Sequence, residues 1–484
     1  HPLSTRCARF SSATPESAPS GQKHQALSVF QARAEVSIGE IEQPTSIFVS
    51  PSGKCFIAPA QAGWKGRSPY LYTFHSEDQS ADYLEGKGSL LGLANLVSHG
   101  AVDDESGLLF VGDSTRIKSY SWWDSVKNTK VAKLLPTHTL DSKGFGNAIG
   151  ILPNGRVARA GDGKIGIWNL NELPTHQTTQ GLIGGNIAED DEDLDTWRDD
   201  PERIERSSGS LPHATITLGE APFNVSIWQN HPSMPGTILA ANNSEKNDQY
   251  YFRALDLENN GKCTMRYLGH GGAINQLSTS KGDPNVLVTA AADGLARLYD
   301  VRQPLPVLTI QAGTMLQNCS SAVVCHPDGI PYIFASEEED EAITLWDVRA
   351  RAAVYDLATG NNRVVQGGMF WNDTRNELYA ATYCNFVDRN GRHFDYEPAQ
   401  IPVERDDADS DGDSNMGDDE DDEGEYQDTE QCWPKNAYHN ETYFGVTFDS
   451  GSHRIYRYAF KSAPNPEIIP PDGGATAEGG DDFW

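Results

Sequence analysis

CTMRYLGHGGAINQLSTSKGDPNVLVTAAADGLARLYDVR, residues 263–302, is the stretch on which the fold turns. It contains three short β-rich runs: Ala273-Ile274-Asn275-Gln276-Leu277, Val286-Leu287-Val288-Thr289 and Leu295-Ala296-Arg297-Leu298-Tyr299. Turn-forming clusters, Gly282-Asp283-Pro284-Asn285 and Asp293-Gly294, separate them. Runs this short between such punctuation predict antiparallel strands joined by tight turns, not helices.

The Gly269-His270 pair in front and the Tyr299-Asp300 pair behind make the stretch resemble one WD repeat, a unit of the β-propeller family. The resemblance implies a hydrogen-bonded relay that pins the blade together, with His270, Thr289, Asp293 and Tyr299 in the family's positions. Tyr299 departs from the usual Trp, which leaves a hydroxyl where an indole N–H is customary. A buried relay stabilises only when every member is satisfied.

If the stretch is a repeat, its closing residue should recur. Asp124, Asn169, Asp256, Asp300 and Asp347 each follow an apolar or aromatic pair, at gaps of 45, 87, 44 and 47 residues. The expected period is roughly 40–45, and the one double-length gap contains an acidic insertion. Inside the repeats, Asp162 to Trp168, Asp293 to Tyr299 and Asp340 to Trp346 are each six residues apart. This register predicts an all-β, seven-bladed WD-repeat propeller over residues 26–460, with acidic insertions at 176–210 and 389–436. Disordered tails are expected at 1–25 and 461–484. Blade 7 is expected to be split, with Val364 to Trp371 and Glu377 to Tyr383 before the second insertion and Tyr443 to Phe448 and Arg454 to Tyr458 after it. Leu27-Ser28-Val29-Phe30 is the expected outer strand that locks the ring.

Composition agrees with this reading. The 45 Gly and 27 Pro suit many short strands, which repeat by addition, so 484 residues need not mean several domains. No apolar run reaches the about 18 residues that a spanning helix needs. Seven scattered Cys, without any Cys-x-x-Cys, suggest reduced buried thiols, an intracellular chain (nucleus or cytoplasm), and neither a disulfide framework nor a zinc site.

The net charge of −31 is concentrated. Residues 189–206 carry −7 and residues 404–430 carry −14, so the rest is mildly acidic. Such a field disfavours direct nucleic-acid binding and attracts basic protein partners.

Enzyme signatures such as a P-loop, G-x-S-x-G or H-E-x-x-H are missing, so a non-enzymatic scaffold without cofactor or metal is expected. Asp407, Asp409, Asp411, Gly412, Asp413, Asn415 and Asp418 follow the order of a calcium loop. Ser414 in the apolar-anchor position and Asp418 in place of a bidentate Glu favour a solvated acidic loop instead. Ser410, with Asp413 three residues on, resembles an acidic-directed phosphorylation site.

Two further resemblances bear on partners. Tyr299-Asp300-Val301-Arg302 and Trp346-Asp347-Val348-Arg349 resemble the paired box of cullin-RING ligase substrate receptors, which would make Arg302 and Arg349 adaptor contacts. The pattern Tyr267-x-Gly269-His270-Gly271-x-Ala273-Ile274-Asn275 is similar to a repeat of the Polycomb propeller subunit that reads histone tails. That likeness implies a histone-binding role and an aromatic cage, for which Trp64, Trp123, Phe145, Trp228 and Trp371 are the available rings.

Overall fold

The structure is a computed structural model and describes residues 33–36, 41–76, 86–124, 127–179, 181–187, 201–219, 223, 225–244, 249–312, 317–339, 342–359, 362–385, 396–402, 426–434 and 453–459. Seven antiparallel sheets follow one another along the chain, as blades 1 (43–90), 2 (99–141), 3 (149–217), 4 (225–267), 5 (274–311), 6 (319–358) and 7 (362–384 with 454–459 and 33–36), and together they form a seven-bladed β-propeller. Blade 5 sets the pattern from inner to outer strand: Ile274–Ser280, Asp283–Ala291, Leu295–Asp300 and Leu308–Gln311.

The run read as a single repeat is therefore offset from the blade. Its first segment lies in Lys262–Tyr267, the outer strand of blade 4, and the outer strand of blade 5 lies beyond Arg302. Each repeat thus spans two blades and ties neighbours together.

Successive blades pack face to face, which buries both faces of their middle strands and explains continuous runs such as Val286-Leu287-Val288. The core is consequently a ring of layers between blades. Leu239, Phe252 and Tyr267 of blade 4 meet Ile274, Leu287 and Tyr299 of blade 5. Phe56 and Phe74 of blade 1 meet Phe370, Tyr379 and Ile455 of blade 7, which closes the circle. Blades 6 and 7 are joined by Phe334 stacked on Trp371, with ring centroids 5.8 Å apart.

The ring is locked by the N-terminal segment, through a different strand from the one expected. Arg33–Val36 pairs antiparallel with Arg454–Ala459 and forms the outer strand of blade 7. Residues 27–30 and 443–448 lie outside the described residues. An outer strand pairs along one edge, so backbone hydrogen bonds rather than side-chain hydrophobicity select it.

The two insertions differ. Residues 404–425, including the calcium-like motif and Ser410, lie outside the described residues; on either side of them Tyr396–Pro402 and Tyr426–Pro434 pair as a two-stranded sheet. The first insertion leaves blade 3 between Lys164–Asn169 and Ala214–Thr217, and its described end is not a free acidic loop but is packed on the ring. Glu205 Oε2 lies 3.2 Å from Lys118 Nζ and 3.9 Å from an Arg116 nitrogen. Arg116 also donates to the carbonyls of Glu205 and Ser207, and the Ser210 amide donates to the Thr139 carbonyl at 2.9 Å. Gly209 (φ 100°) allows this approach, because a Cβ there would stand 2.4 Å from the Asp141 nitrogen. The cause is electrostatic: Arg116 and Lys118 are buried in a blade 2 strand and require an anion and carbonyls as partners.

Candidate functional site: a braced apolar corner on blade 5

The corner is built where residues 268–273 cross from blade 4 to blade 5 and meet the loop between the third and fourth strands of blade 5. The Asp293-Gly294 turn, with Gly294 at φ 80°, aims the Asp293 carboxylate back at this crossing. Asp293 Oδ2 accepts the Gly271 amide at 2.6 Å. Arg297, four residues on, donates to both carboxylate oxygens, at 2.9 and 2.6 Å. Its Nη1 also lies 3.2 Å from His270 Nδ1. On the other side of the ring, His270 Nε2 is 3.1 Å from Tyr299 Oη and 3.5 Å from Thr289 Oγ1. Tyr299 Oη is 2.9 Å from the Leu268 carbonyl, to which it donates.

Donors and acceptors fix the order. Arg297 has only hydrogens to offer, so His270 Nδ1 accepts and Nε2 carries the proton. The imidazole is therefore neutral, and burial followed by the Arg297 charge pushes it down to about 3. Asp293 moves below the usual carboxylate range: burial opposes the shift, and the Arg297 hydrogen bonds and the Gly271 amide overcome it. The structure thus brings together His270, Thr289, Asp293 and Tyr299 and inserts Arg297 between His270 and Asp293.

What the relay holds is exposed. The Leu268 amide donates to the Pro304 carbonyl at 2.8 Å, and the Val307 amide to the Leu298 carbonyl at 2.8 Å. Around these bonds Leu268, Leu305 and Val307 are 42%, 57% and 49% exposed. Three aliphatic side chains on one short stretch of surface, fixed from below by a polar network, form a surface suited to a protein partner.

The other residues singled out in the sequence are used differently. Asp162 is exposed in its turn, and Trp168, fully buried, gives its indole N–H to the Ser210 carbonyl at 2.9 Å, latching the first insertion. Asp340 lies outside the described residues, and Trp346 Nε1 is buried without a hydrogen-bond partner among them. Arg302 grips both oxygens of Asp300, at 2.8 and 2.6 Å, and Arg349 those of Asp347, at 3.2 and 2.9 Å. The five candidate cage aromatics are spread over five blades: Trp64 on blade 1, Trp123 on blade 2, Phe145 before blade 3, Trp228 on blade 4 and Trp371 on blade 7.

Sequence reading missed Arg297 and the three aliphatics. It also missed Asp113, whose carboxylate accepts the amides of Ala94, Asn95, Thr115 and Arg116 and so repeats the turn device in blade 2. Among the described residues, no group of His, Cys, Asp and Glu could hold a metal ion, and no helix is long and apolar enough to cross a membrane.

Neither a protein-family model nor a curated protein matches the chain. Its class rests on topology: a seven-bladed β-propeller of the kind commonly used as a protein-interaction scaffold.

Three histidines, His270 at this site and His99 and His138 in blade 2, give the chain a pH signature. His270 and His99 are each pushed down to about 3, by burial and then a neighbouring arginine, and His138 to about 4 by burial and then His176. Each binds its proton less readily folded than unfolded, so its contribution to stability is present above the unfolded value, about 6.5, and lost as pH falls towards the folded one. The unfolding free energy from urea titrations should hold steady above about pH 7 and fall below about pH 6.5, by up to about 1.4 kcal/mol per pH unit for each histidine. His270→Gln should make that slope shallower. A stability unchanged between about pH 7.5 and 5 would contradict the assigned neutral imidazoles.

Proposed function

We propose that the chain is a WD-repeat-type scaffold that binds other proteins through the blade 5 corner, and that it works by binding rather than by catalysis. The observation that carries this reading is the pairing of exposed Leu268, Leu305 and Val307 with the relay beneath them. A rigid surface loses little conformational entropy on docking, so its apolar area converts efficiently into affinity. Leu305→Asp with Val307→Asp places two charges on the corner without touching the relay. The expected result is loss of the proteins that the wild-type chain captures from its native extract, with an unchanged urea midpoint. Capture of the same proteins by the double variant would overturn the reading.

The chromatin reading is favoured by the charge of residues 404–430. Basic partners, histone tails among them, and a nuclear or cytoplasmic setting suit that field, and direct nucleic-acid binding does not. Of the residues behind the Polycomb likeness, His270 and Gly271 belong to the relay, Tyr267 packs edge-on against Tyr299 and Asn275 donates to the Cys319 carbonyl, so the likeness speaks for shared blade architecture. Binding of a histone tail peptide that weakens steeply with salt and disappears on deletion of 404–430 would support it. The ligase reading draws less support, because Arg302 and Arg349 are each engaged by their own aspartate.

A further inference from the structure

A groove of about 880 Å³ runs between the rims of blades 1 and 2, well away from the blade 5 corner. One wall is Lys87–Leu90, the outer strand of blade 1, which pairs with Ser68–His75 along one edge. Alternate backbone groups of any such strand face away from its sheet, here towards the groove. Its opposite wall is the outer strand of blade 2, Thr129–Asp141, whose pairing lapses between Lys130 and Leu135. Across this lapse Lys87 Nζ reaches the Ala132 carbonyl at 2.7 Å. Tyr70, Leu90 and Leu134 give the groove apolar lining, and the docked first insertion closes one end with Glu202 and Arg203.

The charge of the groove is opposite to that of the chain. Among the described residues, Lys87, Lys133 and Arg203 line it against one acid, Glu202, in a protein of net charge −31. We propose that it binds, in trans, an extended peptide of alternating acidic and aliphatic residues, added as a strand to the edge of Lys87–Leu90 that no described strand pairs. A strand turns successive side chains to opposite sides, so one set would meet the lysines and the other the apolar lining. Gly88 serves the blade's own packing, since a Cβ there would stand 2.4 Å from the Tyr70 hydroxyl, and this seats the Tyr70 ring over the strand on one face of the groove. The insertion that closes one end is held by Glu205 on Lys118, so its docking sets how far the groove extends.

The test uses the full chain and a fluorescein-labelled peptide of alternating Asp and Leu, about ten residues long. Saturable binding is expected, weakened about tenfold by Lys133→Glu and by salt raised from about 0.15 M to about 0.5 M. Methylating alternate peptide nitrogens on the strand-pairing edge should abolish it, while a Lys-Leu peptide should not bind. Lys133 is exposed, so the variant should keep the wild-type urea midpoint. No binding, equal binding of the Lys-Leu peptide, or indifference to both Lys133→Glu and N-methylation would overturn the proposal. Two other results would overturn it by naming a different occupant. Self-association abolished by Lys133→Glu would assign the groove to a second copy. Binding that appears only after deletion of 404–430 would assign it to the chain's own acidic segment. Failure here would leave the blade 5 reading untouched, since the two surfaces share no residue.

Discussion

Arg159→Met is expected to cost about 3–5 kcal/mol of stability, read as a fall in the urea midpoint at constant slope. Arg159 is fully buried in blade 3, and its guanidinium is spent on links to blade 2 and to the intervening loop. Nε donates to the Asn147 carbonyl at 3.2 Å, Nη1 to the Arg116 carbonyl at 3.0 Å and to Ser142 Oγ at 2.5 Å. Nη2 donates to the Gly146 carbonyl at 3.2 Å and to the Asp113 carbonyl. Methionine keeps most of the stem volume, so the variant isolates the loss of the polar head. The carbonyls it leaves behind cannot all rotate to water, and stranded acceptors cost more than the bonds themselves contributed. A midpoint within experimental error of wild type would mean that blades 2 and 3 are held by apolar packing alone.

The second large effect lies in the relay. Arg297→Ala should cost about 3–5 kcal/mol, because it leaves the Asp293 carboxylate and His270 Nδ1 without their principal donor. Asp293→Ala should be comparably costly, since it strands the guanidinium and the Gly271 amide. Removing both partners should cost less than the sum by about 1–3 kcal/mol, as the buried charge goes with its counter-charge. Additive single effects would show that Arg297 and Asp293 act through separate neighbours.

The sequence carried the ring and the relay unevenly. The period and the Asp293-Gly294 turn were legible because tight turns demand particular residues, and these recur with the blades. Arg297 was not, because an Arg between Ala296 and Leu298 reads as the outward member of an alternating strand. It is buried because blades pack on both faces, and Asp293 and His270 satisfy its donors. The closing strand escaped for the opposite reason. Arg33-Ala34-Glu35-Val36 has no hydrophobic pattern, whereas Leu27-Ser28-Val29-Phe30 does, and an outer strand is chosen by register.

The acidic insertion at 176–210 read as a charged loop standing off the ring, yet its Glu205 lies against Arg116 and Lys118. Two cations on either side of Ile117, in a run that leads to Tyr120 and Trp122, were the available signal that an anion had to come from elsewhere. Leu268, Leu305 and Val307 gave no signal at all, since only their convergence in space distinguishes them from isolated surface aliphatics.

The most direct test of the account is amide hydrogen exchange at the blade 5 corner of the full chain. If the relay braces an exposed apolar surface, the amides of Leu268, Gly271 and Val307 should exchange as slowly as those of the blade strands, despite the exposed side chains around them. Arg297→Ala should release the first two selectively. Exchange at the rate of an open loop in the wild-type chain would mean that the corner is not held, and the scaffold reading would lose its site.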